Sequence, residues 1–237
     1  MNNNFMIDDY VRTRFAGMDN VRFEGRFHSS PTSPPLQPSP PIIGPDQEGC
    51  GCCDLCDYNP AVMELKRAMR RLWMQHVIWT RSFVVSDVAN LADKKAVLDR
   101  LLTNQDDIGV AIKPYYGNEA GDTLAKLLRE HILIAAQVLD AAKNNNQVAL
   151  QHNNRLWYEN ADQIAHFLTN MNSCWDYETL NQLLYKHLEI LTEQVVARIK
   201  GDWVADIMAY DKGEDHILML ADALSLGIME QFPEKFN

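Results

Sequence analysis

The chain of 237 residues lacks several features that would place it in common functional classes. It has no run of about 18 uninterrupted apolar residues, so no membrane-spanning helix is expected. Its first residues lack the charged region followed by an apolar run that marks a secretory signal. Basic side chains number 22 against 32 acidic ones, giving a net charge of -10, and no basic stripe is present to bind nucleic-acid phosphates. We therefore expect a soluble, cytoplasmic protein that binds neither membranes nor nucleic acid.

Motifs of well-known enzyme classes are missing too. The chain has no G-x-G-x-x-G, no Walker loop, no H-E-x-x-H and no G-x-S-x-G. Ferritin-like bundles place a glutamate three residues before a metal-binding histidine. The residues three before the histidines at 76, 131, 187 and 216 are Trp73, Leu128, Leu184 and Gly213. An enzyme is thus not favoured, and no catalytic residue is assigned.

Alternating β-branched strands are also absent, whereas apolar residues recur at helical spacing after position 59. The pattern predicts an all-α, up-and-down bundle of about six helices over residues 59–237. The predicted helices cover about 60–85, 94–112, 119–143 and 148–170, a fifth opens at Asp176, and the last is broken near Gly201 and again near 211–213. Asn59 and Pro60 suit the cap and the first position of helix one.

Residues 1–58 differ from the rest and form a separate segment, which we interpret as an extended, proline-rich tail. Most of the ten prolines lie between positions 29 and 45, where the composition cannot bury enough apolar surface to order the chain. Before them, arginines and phenylalanines alternate between Arg12 and Phe27, which suits either a short adhesive arm or a flexible tail without a partner. We expect residues 1–58 to contact a protein partner or a second copy.

Four cysteines cluster in the tail at Cys50, Cys52, Cys53 and Cys56. Three of them follow C-x-x-C-x-x-C spacing, with which a tight loop can wrap several sulfurs round one metal. An iron–sulfur run would need a fourth cysteine where this chain has Pro60. Zinc or copper(I) remains compatible with the cluster, and the open alternatives are disulfides and unligated or lipid-modified thiols.

The most informative feature is a polar residue set into each inward helix face. The histidines in apolar stripes are His76, His131, His187 and His216, on four different helices. We predict that they hold a transition metal, zinc or iron, or a small polar ligand inside the bundle. The residues predicted to orient them are Asn104, Asp107 and Asn160. The alternative is four histidines that are satisfied separately by core hydrogen bonds.

Several stretches after Asn59 resemble a family of small bacterial helical proteins. They are W-x-x-H-x-x-W-T-R at 73–81, N-Q-x-D-I-G-x-A-I-K-P-Y-Y-G at 104–117, H-I-L-I-A at 131–135, N-A-D-x-I-A-x-F-L at 160–168, and the segments 187–196 and 202–233. The resemblance implies a helical fold but little function, because family labels such as glycosyltransferase or acetylglutamate kinase have no established activity behind them. The tail departs from the family pattern.

The sequence leaves three functional hypotheses. The first is a non-enzymatic binding protein whose buried His/Asn/Asp layer holds a metal ion or a small polar ligand. The second is a structural protein of an assembly, such as a coat or capsid-like shell, in which the arm and the cysteine cluster link neighbouring subunits. The third is an enzyme acting within the polar pocket.

Overall fold

The computed structural model describes residues 59–236, and this part of the chain is helical throughout, without strands. The helices are α1 (Pro60–Val88), α2 (Lys94–Lys143), α3 (Gln147–Met171), α4 (Tyr177–Lys200) and α5 (Trp203–Gln231), followed by a short 3-10 turn at Pro233–Lys235. The prediction of an all-α helical bundle is thereby confirmed. Searched over the described range, the helices include none with the length and hydropathy that a bilayer crossing requires.

Helix α1 begins where the sequence predicts. The Asn59 side chain accepts hydrogen bonds from the backbone N–H groups of Ala61 and Val62, at 3.0 and 3.1 Å, and Pro60 occupies the first turn. These bonds satisfy donors that a helix start otherwise leaves unpaired. The Asn59 side chain also donates to the Phe236 carbonyl, so the start of α1 lies beside the end of the described chain.

Helix α2 folds back on itself at Gly117. This residue alone is non-helical within α2, with φ 84° and ψ 172°, a conformation that favours glycine. Arg129 of the second arm donates to the Leu102 carbonyl of the first at 3.1 Å. Gly109 and Gly121 meet where the arms cross, and a Cβ atom on either would collide with the other's carbonyl oxygen. Residues 59–236 therefore form five α-helices, where the sequence predicts about six.

Helix α5 is unbroken, so the predicted interruption at 211–213 is wrong. Gly213 lies inside the helix, packed against Ile190 of α4. The predicted break at Gly201 is correct but belongs to the end of α4, where Gly201 adopts the left-handed conformation with φ 73°. A glycine within a helical pattern can thus either end a helix, as Gly201 does, or lie inside one, as Gly213 does. Only contact with a neighbouring helix distinguishes the two cases.

The bundle closes because α5 returns antiparallel against α1. Arg70 forms a two-pronged ion pair with Asp222, at 2.7 and 2.5 Å, near the start of α1. Arg81, eleven residues later, pairs with Asp206, sixteen residues earlier in α5. Asp206 is fully buried and also accepts from Arg198 of α4 at 3.2 Å. These pairs fix the register of three helices around the shared core.

Candidate functional site

Three of the four predicted histidines converge at the centre of the bundle. The ring centroids of His76 and His187 lie 5.5 Å apart, and those of His131 and His187 lie 6.3 Å apart. Each comes from a different helix, α1, the second arm of α2 and α4, and each is at least nine-tenths buried. The inward stripes that predicted the histidines therefore meet at one height.

His131 is held by hydrogen bonds at both ring nitrogens. Its Nδ1 lies 2.8 Å from the Asn160 side-chain oxygen, and Trp157 Nε1 donates to its Nε2 at 3.0 Å. The Asn160 amide nitrogen donates to the Leu127 carbonyl at 3.2 Å, which leaves its oxygen to accept. The proton of the neutral imidazole therefore resides on Nδ1, and no lone pair remains for a metal or a ligand.

His76 has one satisfied nitrogen. Its Nδ1 lies 3.2 Å from Gln105 Oε1, and the Gln105 amide nitrogen donates to the Leu101 carbonyl and to the Asn104 side-chain oxygen. Asn104 in turn donates to the Leu72 carbonyl at 3.1 Å. This chain of donors makes Nδ1 the protonated nitrogen of His76. The Nε2 lone pair is left without a hydrogen bond from any residue in the described range.

Gln105 was not among the predicted site residues, although it is fully buried. The sequence carries a signal for it, because Gln105 stands four residues after Leu101 and three before Ile108, both core positions with no exposed surface. An amide in the middle of such a stripe needs partners inside the protein. The adjacent Asn104 was predicted instead. The two side-chain amides are hydrogen-bonded to each other, and Gln105 contacts His76.

His187 differs from the other two, since no described residue forms a hydrogen bond with its ring; its recorded neighbours are the imidazoles of His76 and His131. The fourth histidine, His216, contacts none of these rings. Its Nε2 donates to the Leu183 carbonyl of α4 at 2.8 Å. His216 is therefore a separately satisfied core histidine, as the alternative interpretation proposes, while His187 is left with its polar atoms unsatisfied.

Burial keeps the three central imidazoles neutral. It lowers the pKa of His76 to about 4 and that of His131 to about 4, although the hydrogen bonds to Gln105 and Asn160 oppose the shift. The pKa of His187 is lowered well below its ordinary value by burial and by the neighbouring imidazoles. At neutral pH the layer therefore carries no charge.

A cavity of about 60 Å³ opens beside this layer. It extends from the histidines toward the end of the bundle where α1 and α2 terminate and α3 begins. Its wall is formed mostly by aliphatic side chains, and the polar members are His76, Thr80, His131, Asn154, His187 and Thr192. No charged side chain lines it. The hydroxyl of Thr80 is buried without a hydrogen-bond partner, whereas that of Thr192 donates to the Leu188 carbonyl at 2.8 Å.

The residues predicted to orient the histidines fall into two groups. Asn160 holds His131 directly, and Asn104 holds His76 through Gln105. Asp107 does neither, because it faces outward at 46% side-chain exposure, with Arg100 3.7 Å away. The next helical position, Ile108, points into the core instead. The assignment of Asp107 to the polar layer was therefore wrong.

The arrangement gives little support to a metal centre. Among residues 59–236, no group of three or more His, Cys, Asp or Glu side chains could hold a metal ion. The reason is visible at His131 and His216, whose hydrogen bonds to Trp157 and Leu183 occupy the Nε2 atoms. The cysteine cluster at Cys50, Cys52, Cys53 and Cys56 lies outside the described residues, so its metal-binding role stays a prediction.

Comparison with known proteins adds no relative. No family model matches the chain, and neither the curated proteins nor the solved structures contain a match. The resemblance to small bacterial helical proteins therefore stays a prediction, and the proposed function rests on the site.

Proposed function

We propose that this protein is a non-enzymatic binding protein that holds a small, uncharged molecule in the cavity beside the histidine layer. The observation that carries the proposal is a cavity whose wall includes polar groups that no described residue satisfies. The Thr80 hydroxyl is buried without a partner, and no hydrogen bond from residues 59–236 reaches the His76 Nε2 atom or the ring of His187, which also line the cavity. Buried polar groups are nearly always hydrogen-bonded, and an orphan costs about 1–3 kcal/mol. A ligand with a donor and an acceptor removes that cost.

The lining determines the chemistry of the occupant. An ion would enter an apolar space without a countercharge, which is strongly unfavourable, and the neutral imidazoles supply none. His76 Nε2 requires a donor from the ligand, and the Thr80 hydroxyl can either donate or accept. The ligand class that fits is a compact apolar body with one N–H or O–H group and an acceptor close to it.

Cavity size restricts the ligand further. The volume of about 60 Å³ exceeds the roughly 10–15 Å³ that one water molecule needs, and is well below the ~150 Å³ of an engineered cavity that holds benzene. Scaled from benzene, which has six non-hydrogen atoms, the occupant has about two to three, and a five-membered ring fits only if the wall moves outward. At the best ligand efficiencies of about −1.5 kcal/mol per atom, such a molecule can still bind in the millimolar range or tighter.

Pyrazole is a suitable probe, because its five-membered ring carries an N–H donor next to an acceptor nitrogen and is uncharged at neutral pH. Thiophene, a ring of similar size without an N–H group, is the matched apolar probe. We expect pyrazole at about ten times its Kd to stabilise the full-length protein by about 1.4 kcal/mol, and thiophene to stabilise it less. Thermal unfolding and the imidazole ¹⁵N chemical shifts measure the two effects.

Two threonines of the cavity wall provide a matched control. Thr80→Val removes the orphan hydroxyl at nearly constant volume, so it should weaken pyrazole binding about tenfold or less, equivalent to one hydrogen bond. Thr192→Val removes a hydroxyl that is already bonded to Leu188 and should leave pyrazole affinity unchanged. Equal effects of both substitutions, or equal binding of pyrazole and thiophene, would contradict recognition by the polar atoms.

Zinc chloride tests the metal hypothesis in the same assay. Zinc binding at the histidine layer predicts that zinc stabilises the protein, that His187→Ala abolishes this effect, and that substitution of the tail cysteines does not. That result would support a metal site instead of a site for a neutral ligand. Loss of the zinc effect on substitution of Cys53 alone would place the metal in the tail. Absence of any response to pyrazole, thiophene or zinc would refute a small-molecule site in this cavity.

A further inference from the structure

The outer face of α5 is the most apolar exposed surface in the described part of the chain. Residues 59–236 have twelve exposed large hydrophobic side chains, and half of these belong to α5. These six are Trp203, Val204, Ile207, Met208, Met219 and Leu226, with exposures between 52% and 70%. Four of them, Trp203, Val204, Ile207 and Met208, lie within the first two turns of α5, and a cluster of exposed apolar side chains of this kind marks an interaction site.

Acidic residues lie on the same face. Val204, Met208, Asp211 and Asp215 follow one another at intervals of four, three and four, so they form one row along the helix. Asp211 and Asp215 are both exposed. The surface therefore offers an apolar patch at the start of α5 and two carboxylates one to two turns further on, a pattern that suits an occupant with aromatic and basic side chains.

A segment of this chain has the matching composition. Residues 12–27 contain four arginines and two acidic residues, Asp19 and Glu24, which gives a local charge of +2 (4 − 2) in a chain whose net charge is -10. Arg22 and Arg26 are four residues apart, and Phe23 and Phe27 repeat the same interval. Aromatic and arginine side chains are the residue types that most often anchor protein interfaces.

The connection between this segment and the bundle is long enough. The 31 residues from 28 to 58 separate Phe27 from Asn59, and at about 3.3 Å per residue they span up to roughly 100 Å. Asn59 lies beside Phe236, at the C-terminal end of α5. The apolar patch is at the other end of this 29-residue helix, about 43 Å away at 1.5 Å per residue. The segment can therefore reach the patch of its own chain.

We propose that residues 12–27 dock on the outer face of α5 in the same chain. In this arrangement Phe23 and Phe27 cover the patch formed by Val204, Ile207 and Met208. Arg22 and Arg26 lie beside Asp211 and Asp215, where each attraction is modest but the charges select the orientation. The docked segment is a surface element and leaves the central cavity untouched, so this inference is independent of the ligand proposed above.

Hydrogen exchange of the full-length protein, followed by mass spectrometry, tests the docking. Peptides covering residues 12–27 should exchange about tenfold more slowly than an unstructured chain of the same sequence. Val204→Ser together with Met208→Ser should abolish that protection. Val148→Ser is the matched control, because Val148 is 82% exposed on α3, away from the patch, and should leave the protection intact. Circular dichroism confirms that these surface variants stay folded.

Charge reversal provides a second variant set. Asp211→Lys with Asp215→Lys should accelerate exchange in residues 12–27, and adding Arg22→Glu and Arg26→Glu should restore the slow rate. Unprotected wild-type peptides would overturn the proposal, as would protection that survives both the serine and the lysine variants. Protection that increases between about 1 µM and about 100 µM protein would also overturn it, because docking within one chain does not depend on concentration.

Discussion

The two ends of the bundle interior are built from the same helices but packed to different degrees. Around Met69, Ile108 and Leu220 the side chains interlock and leave a void of only about 10 Å³. Beyond the histidine layer the void grows to about 60 Å³, and six polar side chains interrupt its otherwise apolar wall. A natural core normally closes such space because each void forfeits dispersion contacts. The packed end therefore stabilises the fold, and the open end is where we propose that a ligand binds.

The same contrast separates two histidines that lie side by side. His131 uses both nitrogens in hydrogen bonds, so its position is fixed by Asn160 and Trp157. His187 has no hydrogen bond from the described residues and faces the cavity. The His131 imidazole thus stabilises the packing of α2 against α3, whereas the ring nitrogens of His187 have no hydrogen-bond partner among the described residues.

Acidification should produce the largest effect. The folded-state pKa values of His76 and His131 are about 4, below the ordinary value of 6.5. The unfolded chain therefore binds more protons between pH 6.5 and 4, so stability is complete above pH 6.5 and is lost as the pH falls. We expect a loss of about 3 kcal/mol for each of these two histidines by pH 4. Urea unfolding at pH 7, 6, 5 and 4.5 measures the loss.

His187→Phe provides the control for this pH dependence. The His187 pKa is also lowered, so the variant should have a shallower pH dependence than the wild type. The carboxylates with lowered pKa, those of Asp176, Asp206 and Asp222, lose their stabilisation only below their ordinary value of 3.8. They do not contribute in this range. A free energy of unfolding that stays constant from pH 6.5 to 4.5 would show that the histidine layer is already hydrated or charged.

Leucine truncation compares the two ends of the core directly. Leu220 lies at the packed end and Leu139 lines the cavity, and each is at most 3% exposed. Leu220→Ala should cost about 3–5 kcal/mol, because it creates a new void. Leu139→Ala should cost about 2–3 kcal/mol, because part of its surface already faces empty space. Equal losses in urea unfolding would mean that the open end is as well packed as the other.

How far the sequence predicts this architecture depends on which interactions are local. The start of α1 follows from Asn59 and Pro60, since capping involves only neighbouring residues. The continuity of α5 through Gly213 does not, because it depends on contact with Ile190 of another helix. The fold-back at Gly117 is predicted as a helix end, but the two arms also need the close approach of Gly109 and Gly121, which no local pattern reveals.

The site shows the same limit. Helical periodicity correctly places all four histidines at buried positions. It cannot show that His216 is satisfied by the Leu183 carbonyl while His187 meets His76, because those contacts depend on the relative heights of the helices. Gln105 could have been found from its stripe position. The cavity could not, since a void is the difference between side-chain volumes and the space between helices.

Removal of the amide that holds His131 should have an intermediate effect. Asn160→Ala removes the hydrogen bonds to His131 and to the Leu127 carbonyl, and leaves the His131 Nδ1–H group unpaired in the core. We expect a loss of about 2–4 kcal/mol. Asp107→Ala, on the exposed side of α2, should change stability by no more than about 0.5 kcal/mol. Similar losses for both in chemical denaturation would contradict the buried network as drawn from the structure.

Thr80→Val should give the smallest change in the free energy of unfolding. Unlike the other substitutions, it should increase stability. The substitution nearly conserves volume and removes a buried hydroxyl that has no partner, so the unliganded protein should gain about 1 kcal/mol. Thr192→Val should not stabilise it, because that hydroxyl donates to the Leu188 carbonyl. If Thr80→Val destabilises the protein by a similar amount, an ordered water already satisfies the hydroxyl, and the ligand must displace that water to bind.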